Sequence, residues 1–298
     1  MKMERQNTYY EENAISYLPH HLGEAVRRSG ALYRGSISEI RLRQDSSLTL
    51  TSGDRCITTS VRCTTDDLNY TLRSLCGNSL YSHSETRKEG YVCTDGGLRA
   101  GVCGRAVTDN GMIISVTDIS SISIRIPHRV PGASDGLCKL VLEEGFKGML
   151  IYAPPGVGKT TALRELVARL AAKPYCLRVA VVDTRFEICG GLSGDMTMDA
   201  LSGYPRAKGM ETALRTLSPQ LIVCDEIGSF EDSEAVRNSF GSGVATVVTT
   251  HGISVDEVKK KPYIRELCDM GVFSHIVGLE RRGNDYLLSV YMNDRKVT

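Results

Sequence analysis

The feature that most constrains this chain is the segment from Met149 to Val167, which reads MLIYAPPGVGKTTALRELV. A short apolar run is followed by a Pro/Gly turn, a lysine, two threonines and an amphipathic stretch, which predicts a buried strand, a glycine-rich loop and a helix. Residues 153–160 fit the phosphate-binding loop pattern, with alanine in place of the first glycine. Because glycines let successive N–H groups turn toward one point and the helix presents its N-terminus there, the segment predicts a phosphate site.

The residue types in this loop point to a magnesium-bound nucleoside triphosphate, and we expect ATP and Mg²⁺ as the ligands. Lys159 would neutralise the β/γ-phosphate oxygens, and the Thr160 hydroxyl would bind Mg²⁺. The residues expected to contact the nucleotide are Pro155, Gly156, Val157, Gly158, Lys159, Thr160 and Thr161.

A second apolar run, LIVCDE from Leu221 to Glu226, ends in two carboxylates. Downstream of a phosphate-binding loop, a strand of this kind indicates a Walker B segment. Asp225 would then hold Mg²⁺ through a water molecule, and Glu226 would polarise the attacking water.

Two further strand ends carry groups suited to the same chemistry. The segment RVAVVDTRFE ends in Asp183 and Glu187, and ATVVTTHG places His251 at a strand end. In open parallel sheets the ligand lies outside the carboxyl ends of the strands, so these side chains should face the same crevice as Lys159. Glu187 is therefore a rival to Glu226 as the general base, and His251 would sense the γ-phosphate.

Arginines complete the expected site. An arginine that enters from a neighbouring subunit raises phosphoryl-transfer rates by roughly 10³- to 10⁵-fold. The candidates in the first part of the chain are Arg99, Arg105 and Arg125, while Arg206 and Arg215 lie in the segment before the Walker B strand.

The order of the patterns predicts two domains in the 298 residues. Residues 1–130 alternate short apolar runs with turn residues, which is typical of antiparallel strands, and helices are expected at Asn13–Ser29 and Thr65–Cys76. Residues 131–298 alternate strands, glycine turns and helices, which predicts βαβ units and a mainly parallel sheet around the P-loop. The fold class is thus α/β, with a smaller α+β domain in front. The Pro- and Gly-rich stretch 127–136 is the predicted linker.

The second domain is expected to contain five buried parallel strands followed by a hairpin and an edge strand. Each of the five is a nearly continuous apolar run, as expected for strands that are covered on both faces. They are predicted at Gly148–Tyr152, Arg178–Asp183, Leu221–Asp225, Ala245–Thr250 and Phe273–Leu279, and the edge strand within RRGNDYLLSVYM.

Composition limits the partners. A formal net charge of +1 supplies no overall field that would attract nucleic acid or anionic lipid, so we expect no nucleic-acid partner. The ten cysteines are spread from Cys56 to Cys268 without a C-x-x-C pair, so we expect reduced thiols in the cytoplasm and no zinc site. No window approaches the roughly 20 apolar residues of a membrane span, so we expect no direct membrane insertion.

Taken together, these motifs resemble the stage III sporulation protein AA family of endospore-forming Firmicutes, itself similar to the hexameric ATPases of type II and type IV secretion and pilus retraction. The resemblance covers most of the chain. In the first domain it rests on SEIRLR, EGYVCTDGGLRAGVCGRAV and ISSISIRI. In the second it rests on APPGVGKTT, VVDTRFEI, YPRAKGMETALRTLSPQLIVCDEIG and VVTTHG.

The resemblance implies a RecA-like P-loop ATPase domain in a hexamer that powers or assembles a channel between mother cell and forespore. It would lie in the mother-cell cytoplasm and reach the membrane through membrane proteins of that channel. In related secretion ATPases the phosphates meet the loop lysine, an acidic box, a Walker B glutamate, a histidine box and arginines of the N-terminal domain. The matching positions here are Lys159, Asp183, Glu187, Glu226, His251, Arg99, Arg105 and Arg125.

One position departs from the family pattern, since Thr184 stands where a carboxylate is expected in Asp-Thr-Arg-Phe-Glu. If that carboxylate were the family's base, hydrolysis here would be slow or would rest on Glu187 or Glu226. Two alternative functions therefore stay open beside the mechanochemical ATPase. One is a RecA-like nucleic-acid motor or loader, and the other is a structural ring that binds nucleotide with little turnover.

Overall fold

The computed structural model describes residues 10–33, 37–53, 55–77, 79, 84–94, 98–126, 134–190, 192, 195–282, 285–292 and 295–296. The chain divides into two compact units, Met1–Arg129 and Val130–Thr298. Most of the predicted linker, residues 127–133, lies outside the described residues. Its last two residues, Asp135 and Gly136, belong to a helix, so the linker does not extend to residue 136 as predicted.

The first unit is built on a six-stranded sheet in the order β3-β2-β1-β6-β5-β4, in which every neighbouring pair is antiparallel. Its helices are α1 (residues 10–16), α2 (His20–Tyr33), α3 (Thr65–Leu75) and α4 (Ser84–Lys88). Its strands are β1 (Glu39–Arg43), β2 (Ser46–Ser52), β3 (Arg55–Cys63), β4 (Tyr91–Cys93), β5 (Arg99–Asp109) and β6 (Met112–Arg125). The antiparallel strands predicted from the sequence are confirmed here.

The single helix predicted over Asn13–Ser29 is wrong, because the chain forms two helices that are separated at residues 17–19. Pro19 accounts for the break. Its ring disfavours helical backbone in the preceding residue, whereas its fixed φ suits the start of a new helix. The Pro19 carbonyl accordingly accepts the N–H of Leu22 and of Gly23, each at 3.0 Å. The second predicted helix is confirmed as α3, which begins with a capping box between Thr64 and Asp67.

The second unit contains an eight-stranded sheet in the order β14-β13-β12-β7-β11-β10-β8-β9. Its strands are β7 (Gly148–Ala153), β8 (Val179–Asp183), β9 (Met198–Ser202), β10 (Leu221–Cys224), β11 (Ala245–His251), β12 (His275–Arg282), β13 (Asp285–Met292) and β14 (Arg295–Lys296). Its helices are α5 (Asp135–Val141), α6 (Lys159–Ala171), α7 (Arg206–Thr216), α8 (Phe230–Gly241), α9 (Val255–Lys259) and α10 (Pro262–Asp269).

The mainly parallel sheet is present, since the pairs from β12 across to β9 are all parallel and only β13 and β14 add antiparallel partners. The five predicted strands form, with ends shifted by up to three residues. Strand β9 was not predicted because MDALS is only five residues long, with Asp199 and Ser202 among its apolar residues; three of the five are exposed. The predicted edge strand is β13, but two residues of β14 pair with its outer side.

Helices cover both faces of this sheet, and alternate residues of β7 supply both cores. Met149 and Ile151 face one cluster with Leu163 of α6, whereas Leu150 lies in the opposite cluster with Val236 of α8. The carboxyl ends of β7, β8, β10 and β11 therefore meet at one edge, which is where the sequence places the reactive side chains. Among the described residues, no helix is long and apolar enough to cross a membrane.

Candidate active site

The loop between β7 and α6 has the backbone that an anion site requires. Gly156 has φ +79° and Gly158 has φ +109°, in the region that side chains rarely adopt. A Cβ on Gly158 would also lie only 2.3 Å from the Tyr286 hydroxyl oxygen. No side chain caps the first turn of α6, so its amides are available to an anionic ligand at the positive end of the helix dipole.

The Lys159 ammonium lies inside this loop. Its Nζ donates to the carbonyl oxygens of Ala153 (2.8 Å) and Pro154 (3.2 Å) and lies 3.0 Å from His251 Nδ1. The residue is only 7% exposed, and burial lowers the pKa of its amine, while the charges of Asp225 and Glu226 oppose that shift. A bound phosphate would favour the charged form of this lysine.

The two residues predicted to hold Mg²⁺ are in direct contact. The Thr160 hydroxyl donates to Asp225 Oδ2 at 3.0 Å, and the Thr249 hydroxyl donates to Asp225 Oδ1 at 2.5 Å. Arg206 Nε donates to the Asp225 carbonyl at 2.8 Å, which ties the start of α7 to the Walker B strand. Hydroxyl and carboxylate oxygens are the ligands that Mg²⁺ takes, so these residues fit the ion.

Glu226 lies between the side chains of Arg185 and His251. Arg185 Nη1 donates to its Oε2 at 3.0 Å, and His251 Nε2 lies 2.5 Å from its Oε1. Because the Lys159 ammonium can only donate, His251 Nδ1 must accept, and the histidine proton is therefore on Nε2, facing Glu226. A chain of hydrogen bonds thus runs from the loop lysine to the Walker B glutamate.

The backbone of Glu226 is strained. Its φ of +50° is unusual for a residue with a side chain and costs roughly 1–3 kcal/mol. Thr249 maintains this conformation, because its Oγ1 accepts the Glu226 N–H and its carbonyl accepts the Ile227 N–H, both at 2.8 Å. Strain of this kind concentrates at functional sites.

The acidic segment after β8 is held together by the Asp183 carboxylate. The Asp183 carboxylate is 1% exposed and accepts the N–H groups of Glu187, Ile188 and Cys189 at 2.8–2.9 Å. Arg164 donates to the carbonyls of Glu187 and Ile188. Asp183 therefore shapes this loop, and the catalytic role predicted for Glu187 stays a prediction.

Thr184, the departure from the family pattern, has a local role that a carboxylate cannot fill. Its hydroxyl donates to the Tyr204 carbonyl at 2.8 Å, just before α7. An ionised carboxylate has no proton to donate. The substitution therefore links the acidic segment to the turn that leads into α7.

The three arginines predicted in the first unit occupy two different places. Arg99 and Arg125 are paired across β5 and β6, and the Arg99 guanidinium lies 4.3 Å from the centre of the Tyr91 ring. Arg105 lies farther along β5 and forms an exposed ion pair with Asp118 at 3.5 Å. Their participation in phosphate chemistry stays a prediction.

Sequence reasoning missed three residues at this edge of the second unit. Arg185 lies in the quoted acidic segment, but only the fold places it against Glu226. Lys261 lies in a run of lysines typical of a solvated surface, yet its Nζ donates to Thr250 Oγ1 (3.0 Å) and to the His251 carbonyl (2.5 Å). Tyr286 lies in the predicted hairpin, and nothing in the pattern marked it.

Two solved structures share this fold over most of the chain. The Legionella pneumophila ATPase DotB superimposes with a TM-score of 0.63 at 15% identity, covering 92% of this chain and 80% of that one. The pilus retraction motor PilT, solved with bound ADP, gives a TM-score of 0.62 at 14% identity, covering 91% of this chain and 81% of that one. At these identities the likeness shows a shared fold.

Sequence comparison supplies the family. Stage III sporulation protein AA of Bacillus subtilis (strain 168) is 32% identical over 272 residues, which is 88% of this chain and 88% of that protein. The family model described as "Sporulation stage III, protein AA" matches residues 20–297. The resemblance inferred from the motifs is confirmed, and the chain belongs to the sporulation stage III protein AA family.

Proposed function

We propose that this protein is a Mg²⁺-dependent ATPase that hydrolyses ATP to ADP and phosphate. The observation that carries the proposal is the 3.0 Å hydrogen bond from Thr160 to Asp225, which joins the phosphate-binding loop to the Walker B strand. Fold likeness to DotB and PilT supports it, since the solved structures bear the names of an ATPase and an ADP-bound motor.

Different residues of the site would bind the phosphates and the metal ion. The amides of the loop and of the first turn of α6 receive the phosphate oxygens, and Lys159 adds a positive charge. Thr160 and Asp225 would hold Mg²⁺, Asp225 through a water molecule. When bound there, the ion would supply positive charge that stabilises the negative charge developing on the phosphates.

Glu226 is our candidate for the general base. Each carboxylate oxygen can accept two hydrogen bonds, so Glu226 can accept a proton from water while keeping its contacts with Arg185 and His251. His251 is our candidate for sensing the γ-phosphate, and its contacts with both Lys159 and Glu226 support that role. Glu187 is the rival base.

We further propose that hydrolysis drives rigid-body motion between the two units in a hexamer, which powers or assembles a channel between mother cell and forespore. Membrane proteins of that channel would be the partners, and the protein would lie in the mother-cell cytoplasm. Arg99, Arg105 and Arg125 are the candidates for an arginine acting on the nucleotide of a neighbouring subunit. Family membership supports the sporulation role.

Paired substitutions test the activity. We expect Lys159→Ala to abolish Mg–ATP binding and Glu226→Gln to keep binding but stop phosphate release. Lys147→Ala, an exposed lysine just before β7, is the matched control and should behave as wild type. Full turnover in both site variants would end the proposal. The ATP-dependent mass of the Glu226→Gln protein in solution tests the hexamer.

A nucleotide-binding ring with little turnover is the second candidate. The hydrogen bond from Thr184 to the Tyr204 carbonyl favours it, because a structural contact stands at the position where the family pattern has a carboxylate that could act as the base. The same assay separates the two candidates. Wild-type protein that binds Mg–ATP but releases no phosphate, with or without a membrane-partner fragment, would favour the ring.

A further inference from the structure

The β12–β13 hairpin sends one face of its strands toward the phosphate-binding loop. Leu279 pairs with Leu288 and belongs to the core cluster that includes α6. Side chains alternate between faces along a strand, so the next pair on this face is Arg281 and Tyr286. That pair lies at the end of the hairpin nearest the loop.

Strand register places this pair beside the loop. β12 runs parallel to β7, with Gly278 opposite Tyr152, and it continues to Arg282 while β7 ends at Ala153. The Tyr286 hydroxyl lies against Gly158, where it leaves no space for a Cβ, and it shares a hydrogen bond with the Thr161 side chain. Tyr286 thus contacts the start of α6 directly.

Tyr286 and Lys159 approach the loop from opposite flanks. Lys159 leans toward β11, where it meets His251, whereas Tyr286 comes from β13 on the other side of β7. In a phosphate-binding loop the amides cradle the α- and β-phosphates and the lysine reaches the β- and γ-phosphates. A nucleoside attached to the α-phosphate would therefore leave the loop on the flank away from Lys159.

We propose that Tyr286 forms the nucleoside subsite, with its ring against the base and its cross-strand neighbour Arg281 beside it. This inference rests on the proposed nucleotide binding. Every base has a π-face, so an aromatic platform binds purines with little discrimination. Burial raises the pKa of the Tyr286 phenol, with Arg281 and Thr161 opposing the shift, so the ring is neutral at physiological pH.

Calorimetric titration with Mg–ADP, Mg–GDP and inorganic pyrophosphate tests the subsite, because pyrophosphate is the diphosphate without a nucleoside. We expect Tyr286→Ala to weaken ADP and GDP binding about 10- to 100-fold and to leave pyrophosphate binding unchanged. Tyr286→Phe should stay near wild type, since the ring is kept. Leu287→Ala is the matched control, because Leu287 is 42% exposed and lies on the other face of the same strand.

The outcomes are distinct. Unchanged or tighter ADP binding by Tyr286→Ala overturns the subsite. The proposed function is still supported in that case if the wild-type protein binds ADP and Lys159→Ala does not. An equal loss for ADP and pyrophosphate also overturns it, because Tyr286 would then only shape the loop. If neither ligand binds wild type, the proposed function fails too. If Tyr286→Ala does not fold, Tyr286→Leu replaces it, because leucine keeps much of the bulk without the aromatic face. We expect it to weaken ADP and GDP binding and to leave pyrophosphate binding unchanged.

Discussion

Thr249→Val tests whether hydrogen bonds from β11 hold the Walker B carboxylates in place. Thr249 is fully buried, and its hydroxyl donates to Asp225 at 2.5 Å and accepts the Glu226 N–H at 2.8 Å. Valine has nearly the same shape but leaves both groups without this partner. A bond to a charged acceptor contributes about 1.5–3 kcal/mol and a neutral one about 0.5–1.5 kcal/mol, so we expect a loss of about 2–4.5 kcal/mol.

The same strand offers a matched control in Thr246→Val. Thr246 is 1% exposed, and its Oγ1 is among the buried side-chain atoms of the described residues that have no hydrogen-bond partner. Valine there removes a desolvated hydroxyl and breaks no contact. We expect stability to stay the same or to rise by about 1 kcal/mol.

Urea unfolding of the full chain, followed by circular dichroism, measures both changes. With an m-value of about 2 kcal/mol per molar, Thr249→Val should lower the midpoint of the affected transition by about 1–2 M, and Thr246→Val should not. Thr249→Val should also reduce ATP turnover, because the strained Glu226 backbone loses its anchor. Equal midpoints for the two variants would refute the reasoning.

Two further predictions concern the loop lysine and the acidic segment. Burial lowers the pKa of Lys159, and phosphate binding favours its charged form, so Mg–ADP affinity should fall as pH rises, beginning below the value of about 10.4 of a free lysine. Calorimetry in buffers of different ionisation enthalpy should show proton uptake there, and a flat profile would contradict this. Asp183→Ala removes the acceptor of three N–H groups and should cost about 3 kcal/mol or more in urea unfolding. A cost under about 1 kcal/mol would mean that this carboxylate does not build the loop.

Local patterns were sufficient for the parts of the site whose chemistry is contiguous in the chain. MLIYAPPGVGKTTALRELV predicted strand, loop and helix because apolar periodicity and glycine conformation are local properties. The runs that end in Asp225 and His251 were identified as strands for the same reason. The break at Pro19 and the short strands β9 and β14 were not predicted, since a periodic pattern does not register a single proline or a strand of only a few residues.

What the sequence by itself determined was therefore the identity of the loop, the strand ends and the family. The tertiary structure alone decided which strand ends are neighbours. Parallel pairing in the order β12-β7-β11-β10-β8 brings Thr249 to Asp225 and Arg185 to Glu226, and the hairpin beyond β12 brings Tyr286 to Gly158. These contacts depend on strand order and register between distant segments, and periodicity within a single segment carries no information about either.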